Sequence, residues 1–220
     1  MMLRFLTSSV GRKYLMAATG MAWYLFVLTH MLANMLILFD ANAYNKYSHA
    51  LISNPLIYVA EGGLVLMLLT HTFTGISLFL RNAKSKPQKY AVAPSRVKGA
   101  SLASKTMIFT GSITLFFVVT HLITFKYGPW YTTVIDGVEM RDLHRLVLEV
   151  FQSPGYVVGY IVTLGLLALH LFHGISSSFQ TFGVSHPRWN ASLKAFGILY
   201  SVTVTLGFLS QPLYVFLIAR

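Results

Sequence analysis

Four histidines lie one apiece inside four long apolar segments, and the residues around them recur in two matched pairs. Thr-Gly, then eight intervening residues, then Thr-His occurs at 19–30 and again at 110–121. His, then three intervening residues, then Gly-Ile-Ser occurs at 71–77 and again at 170–176. A histidine inside a hydrocarbon-spanning helix is costly and normally faces the bundle interior with a partner. The repeat therefore predicts two metal centres, each bound by two imidazoles, and the four histidines are His30, His71, His121 and His170.

The composition predicts the elements that position these histidines. Of 220 residues, 55% are hydrophobic and only 10% are charged, which is unlike an ordinary soluble domain. Apolar runs of roughly 20 or more residues, enough to cross about 30 Å of hydrocarbon, alternate with charged stretches. We expect an all-α membrane protein with one domain over 1–220, in which a four-helix bundle carries the histidines and a fifth helix packs beside it. The predicted transmembrane helices are 14–38, 56–80, 105–126, 155–179 and 195–218.

The distribution of lysine and arginine predicts the orientation. One side of the membrane receives twelve basic residues and no acidic residue, whereas the six acidic residues share the other side with five basic ones. The positive-inside rule then places the N-terminus in the cytoplasm. Nucleic-acid binding is disfavoured, because the basic residues adjoin membrane segments and no nucleic-acid-binding module accompanies them. The twelve are Arg4, Arg12, Lys13, Arg81, Lys84, Lys86, Lys89, Arg96, Lys98, Lys105, Arg188 and Lys194.

Helix direction converts the histidine positions into depths. Each histidine lies a few residues past the middle of its helix, so His30 and His121 fall in the outer half and His71 and His170 in the inner half. Helical rise places the two layers roughly 10 Å apart. Zinc is normally coordinated by four protein ligands, or by three and a water, whereas two imidazoles suit the axial positions of a haem iron. Because the chain has no cysteine, the haems would be bound noncovalently, as in a b-type cytochrome.

Small and hydroxylated residues near the histidines fit this interpretation. Gly75 and Gly174 lie one turn beyond a histidine, where a missing side chain would leave room for the edge of a porphyrin ring. A threonine that precedes a histidine could bond the imidazole or, more commonly, its own preceding turn. These threonines are Thr29, Thr70 and Thr120.

Two alternatives concern the histidines themselves. Each imidazole could simply form a hydrogen bond between helices, although the repeat makes this less probable for the whole set. His173 lies three residues from His170 on nearly the same face, so either could be the ligand. The repeat aligns His170 with His71, and we therefore expect His170 to be the ligand and His173 to neighbour the haem.

The chain resembles the di-haem cytochrome b membrane anchor of the succinate dehydrogenase and fumarate reductase family of succinate:quinone oxidoreductases. The resemblance covers about residues 4–216 and includes the five-helix, four-histidine layout. Its motifs are Ser8-Ser9-Val10-Gly11-Arg12-Lys13, Thr19-Gly20, His170-x-x-His173-Gly174 and Phe179-Gln180-Thr181-x-Gly183.

The resemblance implies cofactors, partners and location. His30 and His121 would hold the distal haem b, and His71 and His170 the proximal haem b near the cytoplasmic enzyme domains. The partners would be a flavoprotein subunit and an iron–sulfur subunit, in a bacterial cytoplasmic membrane. The electron carrier in the membrane lipid would be a quinone, and menaquinone is the expected type. The basic inner side would dock a soluble partner, or it would only set topology and attract anionic lipid.

The outer side contains the candidates for quinone chemistry. Glu61, at the outer end of the second helix, could exchange the proton that accompanies quinone oxidation or reduction, although an interfacial glutamate is often only solvated. The spacing of apolar residues predicts an amphipathic surface helix over Glu139–Phe151, on which Asp142 and His144 are weaker candidates.

Two other functions remain open at this point. The same two haems could serve a hydrogenase or a formate dehydrogenase. Alternatively, the histidines could form a proton or solute path in a small transporter without haem.

Overall fold

A computed structural model of the chain describes residues 4, 7–84, 102–184 and 186–219. Lys86, Lys89, Arg96 and Lys98 of the predicted basic side lie outside the described residues. The described helices of at least nine residues are α1 (Ser9–Asn34), α2 (Ala41–Ile52), α3 (Leu56–Lys84), α4 (Leu102–His121), α5 (Leu143–Phe151), α6 (Pro154–Thr181) and α7 (Pro187–Leu217). A 3-10 turn (Met35–Leu38) extends α1, a π-helical turn (Leu122–Lys126) extends α4, and two strands follow, β1 (Thr132–Ile135) and β2 (Val138–Arg141).

Five of these helices are long and apolar enough to cross a membrane, which confirms the predicted number and approximate positions of the spans. They are α1 with its extension, α3, α4 with its extension, α6 and α7. Large apolar side chains point away from the bundle: Leu25, Leu66 and Phe116 are 67%, 67% and 70% exposed. Such side chains are stable in hydrocarbon, so the exposed surface is that of a multi-pass membrane protein.

The four helices that carry the histidines form a ring. Helix α1 packs on α3 and α6, α6 packs on α4, and a smaller contact between α3 and α4 closes the ring. Helix α7 lies outside it, against α1 and α6. Glycines allow the close approach of α7: a Cβ at Gly207 would collide with the Met31 side chain, and one at Gly197 would lie 3.2 Å from Ser176 Oγ. Small residues at such crossings are typical of membrane bundles.

The ring has two chemically different ends. At the cap end, α2, the β1–β2 hairpin and α5 cover the helix termini around a buried cluster that includes Ile37, Tyr44, Val147 and Phe151. At the basic end, the described termini carry lysines and arginines. They are Arg4, Arg12, Lys13, Arg81, Lys84, Lys105, Arg188 and Lys194.

The predicted surface helix over Glu139–Phe151 is wrong in its first part. Residues Val138–Arg141 form β2, and the helix begins only at Leu143. Asp136 and Gly137 between the strands have φ values of 52° and 76°, the left-handed conformation of a two-residue hairpin turn. Asp142 then caps α5, because its side chain accepts a hydrogen bond from Arg145 N at 3.0 Å. The Asp-Gly turn therefore leads into a second strand where periodicity alone predicted helix.

Candidate cofactor site

The ring brings the four histidines together as two opposed pairs. At the cap end, the ring centres of His30 and His121 are 5.9 Å apart and the planes are inclined by 85°. Towards the basic end, the ring centres of His71 and His170 are 6.3 Å apart and inclined by 64°. Two imidazoles on opposite sides of one metal, with bonds of about 2 Å and roughly 1 Å more to each ring centre, would be about 6 Å apart. Both pairs have the spacing of two axial ligands.

The pairs lie at different depths. Gly20 contacts the His71 ring, because a Cβ there would lie 3.5 Å from His71 Cε1, and His30 is ten residues further along α1. This stretch of helix corresponds to a rise of about 15 Å. The layers are therefore separated along α1 by somewhat more than the roughly 10 Å expected from the sequence.

One cavity of about 1450 Å³ extends along the inside of the ring, and all four histidines line it. Protein interiors are normally close-packed, and small-molecule pockets are typically about 300–1,000 Å³. Most of the lining is apolar, with Val65, Leu68 and Leu167 as examples. The cavity therefore has the size and character to enclose large flat ligands at both histidine pairs.

Two further observations fit haem rather than a bare metal ion. Among the described residues, no group of three or more His, Cys, Asp or Glu side chains could hold a metal ion, whereas a porphyrin needs only two axial ligands. Trp23 lines the cavity, and its Nε1 is buried without a hydrogen-bond partner in the described part of the chain. A buried donor without a partner is unfavourable, so it suits a ligand with polar atoms.

Threonines of the repeated Thr-Gly motif hold the pair nearer the basic end. Thr19 Oγ1 on α1 lies 3.1 Å from His71 Nδ1, and Thr110 Oγ1 on α4 lies 3.2 Å from His170 Nδ1. The threonines that precede the histidines follow the more common of the two expected alternatives. Their hydroxyls donate to backbone carbonyls of their own helices, as Thr29, Thr70 and Thr120 each show.

The cap-end pair has different partners. His121 Nδ1 lies 2.9 Å from the Tyr160 hydroxyl. The amide nitrogen of Asn34 donates to the backbone carbonyl of His30 and lies 3.4 Å from its Nδ1. Phe26 stacks on the His30 ring with 5.3 Å between ring centres. An amide and a phenol thus replace the two threonine hydroxyls of the other pair.

The two glycines expected to leave room for a porphyrin edge line the cavity, and each also faces a side chain of α1. A Cβ at Gly75 would lie 3.1 Å from Met16 Cε, and one at Gly174 would collide with the Tyr24 hydroxyl. The glycines that face histidines are instead those of the Thr-Gly motif: a Cβ at Gly111 would lie 3.2 Å from His170 Cε1. A sequence repeat shows that glycine recurs at equivalent positions, but it does not show which helix each glycine faces.

His173 lines the cavity beside His170, but it is His170 that opposes His71. Because His173 lies about one helical turn beyond His170 on α6, its side chain lies at a different depth in the cavity. His173 therefore adjoins the pair nearer the basic end rather than forming part of it.

Glu61 also borders the cavity, at its cap-end mouth between α3 and α4. It forms an ion pair with Lys126, which lies in the π-helical turn after α4. Both side chains are about one-third exposed and both line the cavity. The sequence singles out Glu61 as a candidate, but it does not reveal Lys126 as its partner. Its partnership arises from the π-helical turn, which the hydrophobic pattern does not reveal.

Asp142 and His144, the weaker candidates, have structural contacts. Asp142 accepts a hydrogen bond from Asn45 at 2.8 Å as well as capping α5. His144 packs near the Tyr44 ring, and burial lowers its pKa from 6.5 against the opposing effect of Asp142. Neither residue lines the central cavity.

No protein-family model, curated protein or solved structure matches this chain. The function must therefore be inferred from its own residues and their arrangement.

Proposed function

We propose that this chain is the cytochrome b membrane anchor of a succinate:quinone oxidoreductase, respiratory complex II. It would carry electrons between an iron–sulfur subunit and membrane quinone through two haems b. The observation that carries the proposal is the pair of opposed imidazole couples, at two depths, facing one cavity too large for an ordinary bundle interior. The resemblance of the sequence motifs to that family supplies the dicarboxylate enzyme, since the geometry supports only the haems.

The residues would divide the work between two sites. His71 and His170 would hold the proximal haem, and His30 and His121 the distal haem. When bound, each haem supplies an iron that accepts and releases one electron. The apolar cavity wall keeps water away, and Trp23 offers its indole N–H to a polar group. His173 would neighbour the proximal site.

The charge distribution supports an orientation and a docking side. The basic end would face the cytoplasm, with the N-terminus, in a bacterial cytoplasmic membrane. An iron–sulfur subunit would dock there, with the flavoprotein beyond it, and the proximal haem would then be the nearer one. The cap end would face outwards.

Glu61 and Lys126 support a quinone site at the cap-end mouth. Reduction of a quinone consumes two protons with two electrons, and oxidation of the quinol releases them. A carboxylate whose ion pair borders the cavity is placed to exchange such a proton with the outer side. Menaquinone is the proposed carrier.

The decisive experiment is pigment and subunit analysis of the complex purified from its native membrane. We expect reduced-minus-oxidised bands of low-spin haem b, two haems per chain, and copurifying flavoprotein and iron–sulfur subunits with succinate dehydrogenase activity. Absence of b-type bands would reject the cytochrome in favour of a path for protons or solutes. Haem with hydrogenase or formate dehydrogenase subunits instead would reject complex II while leaving the haem sites intact.

A further inference from the structure

We infer that Thr19 and Thr110 are positioning residues that lock His71 and His170 with Nδ1 protonated and Nε2 free to bind metal. The inference rests on the proposed function only in requiring a metal at this pair. It concerns the Thr-Gly half of the repeat, which the assignment of histidine ligands leaves unexplained.

The direction of each hydrogen bond follows from counting protons. A threonine hydroxyl has one hydrogen to donate and can also accept. Thr19 Oγ1 lies 2.7 Å from Leu15 O, and a backbone carbonyl can only accept, so the hydroxyl hydrogen is used there. The oxygen of Thr19 is then the acceptor for His71 Nδ1–H. In the neutral ring, a proton on Nδ1 leaves the lone pair on Nε2.

The same count applies to the second half of the repeat. Thr110 Oγ1 lies 3.2 Å from the carbonyls of Thr106 and Met107, and it too lies within hydrogen-bond distance of a histidine Nδ1. Thr110 is 3% exposed and Thr19 is 9% exposed, so water does not compete for either hydroxyl.

The neighbouring glycine completes each contact. A Cβ at Gly111 would lie only 3.2 Å from His170 Cε1, so the missing side chain gives this ring room, and a Cβ at Gly20 would lie 3.5 Å from His71 Cε1. Threonine fixes which nitrogen carries the proton, and the adjacent glycine lies against the edge of the same ring. Each Thr-Gly pair therefore contacts the histidine of the helix that faces it: α1 faces His71 of α3, and α4 faces His170 of α6.

The hydrogen bond has an electronic consequence. An imidazole that donates its second N–H to an acceptor is a more basic ligand, which stabilises the oxidised metal. Removing the acceptor should raise the midpoint potential of the haem at that pair. The other haem should not change, because its histidines contact Tyr160 and Asn34 instead.

The test uses Thr19→Val and Thr110→Val in the whole complex, with Thr19→Ser and Thr110→Ser to restore the hydroxyl. Redox titration and low-temperature EPR would follow each haem, and His71→Ala would identify which signals belong to the proximal one. We expect each valine variant to raise the proximal potential and shift its EPR line, or to lose that haem alone, and each serine variant to resemble wild type. Thr29→Val is the matched control, since its hydroxyl bonds only the backbone of α1 and it lies next to another ligand.

Several outcomes would overturn the inference. Valine variants with unchanged potentials and EPR lines for both haems would do so, as would serine variants that fail to restore them. If the valine variants do not assemble, a density map of the wild-type complex decides the question. The inference is supported if both threonine Oγ1 atoms lie within about 3.5 Å of the histidine Nδ1 that each faces, and it is contradicted if either lies farther away. A wild-type complex without haem would instead refute the proposed function.

Discussion

At the scale of single residues, the unusual feature is that each of four imidazoles in an apolar bundle has a polar neighbour at a ring nitrogen. Thr19, Thr110 and Tyr160 lie 2.9–3.2 Å from the Nδ1 of His71, His170 and His121. The Asn34 amide nitrogen lies 3.4 Å from Nδ1 and 3.5 Å from Nε2 of His30. Such contacts offset the cost of placing an imidazole in hydrocarbon and restrict how the ring can turn.

Removal of a single imidazole should therefore affect one site only. We expect His30→Ala or His121→Ala to lose the cap-end haem, and His71→Ala or His170→Ala to lose the other, so that haem per chain falls from two to about one. His173→Ala should retain both, because His173 does not oppose His71. Pyridine haemochrome quantification measures the stoichiometry. Loss of a haem from His173→Ala, with His170→Ala unchanged, would reverse the ligand assignment.

Glu61→Gln should separate electron transfer to quinone from the rest of the enzyme. The amide keeps the shape of the side chain but cannot exchange a proton or pair with Lys126, and a general acid–base group typically contributes about 10²–10⁴-fold. We expect succinate:quinone activity to fall by at least about tenfold, while haem content and succinate oxidation by a soluble dye remain. Glu149→Gln is the matched control, because Glu149 pairs with Arg145 outside the central cavity. Equal losses in both variants would contradict a specific role for Glu61.

The sequence predicted the histidine pairs but not their neighbours, for a physical reason. Helix direction and residue number fix depth, so His30 could be matched with His121 without coordinates. Rotation of each helix about its axis is set by packing, and this decided that Thr19, rather than Thr70, would contact His71.

At the scale of elements, long apolar runs were easy to predict, whereas the short pieces of the cap were not. The sequence gives α2 little apolar character, since it begins Ala41-Asn42-Ala43 and packs mainly through residues such as Tyr44. The hairpin has strands of four residues each, too short for periodicity to distinguish from helix. The Asp136-Gly137 pair was the available signal for it.

The cap should become less stable in mild acid. The pKa of His144 is lowered from 6.5 by burial, so the folded cap favours the neutral ring and the locally unfolded cap takes up the proton first. The stabilisation present above pH 6.5 is therefore lost progressively as the pH falls below that value. Asp142 opposes the shift, and Tyr44 lies beside the ring.

Backbone amide exchange of α5, corrected for the intrinsic rate at each pH, would measure this loss. We expect protection in the wild type to fall below pH 6.5 more than in His144→Gln. Identical pH profiles for the two proteins would show that His144 does not carry the effect.

At the scale of the whole molecule, the ends differ in charge and in structure, and the difference in charge supports the proposed orientation. The cap end carries a folded cover with ion pairs such as Arg145–Glu149. The basic end has no acidic side chain among its described residues. A positive surface of this kind suits the cytoplasmic face and a soluble partner.

The orientation can be tested cleanly because the chain has no cysteine. Glu139→Cys at the cap end and Lys194→Cys at the basic end introduce single thiols at exposed positions. We expect a membrane-impermeant maleimide to label Glu139→Cys in intact cells and Lys194→Cys only after permeabilisation. The reverse pattern would invert the proposed topology.

The small contact between α3 and α4 bears on how such a protein matures. Among the described residues, the other neighbouring helix pairs of the ring are packed more extensively, so separating α3 from α4 breaks the fewest contacts. Any rigid macrocycle that fills the interior is too broad to slip between tightly apposed helices. The proposed haems should therefore be inserted before α3 and α4 come together. The Glu61–Lys126 ion pair would then hold these two helices in place.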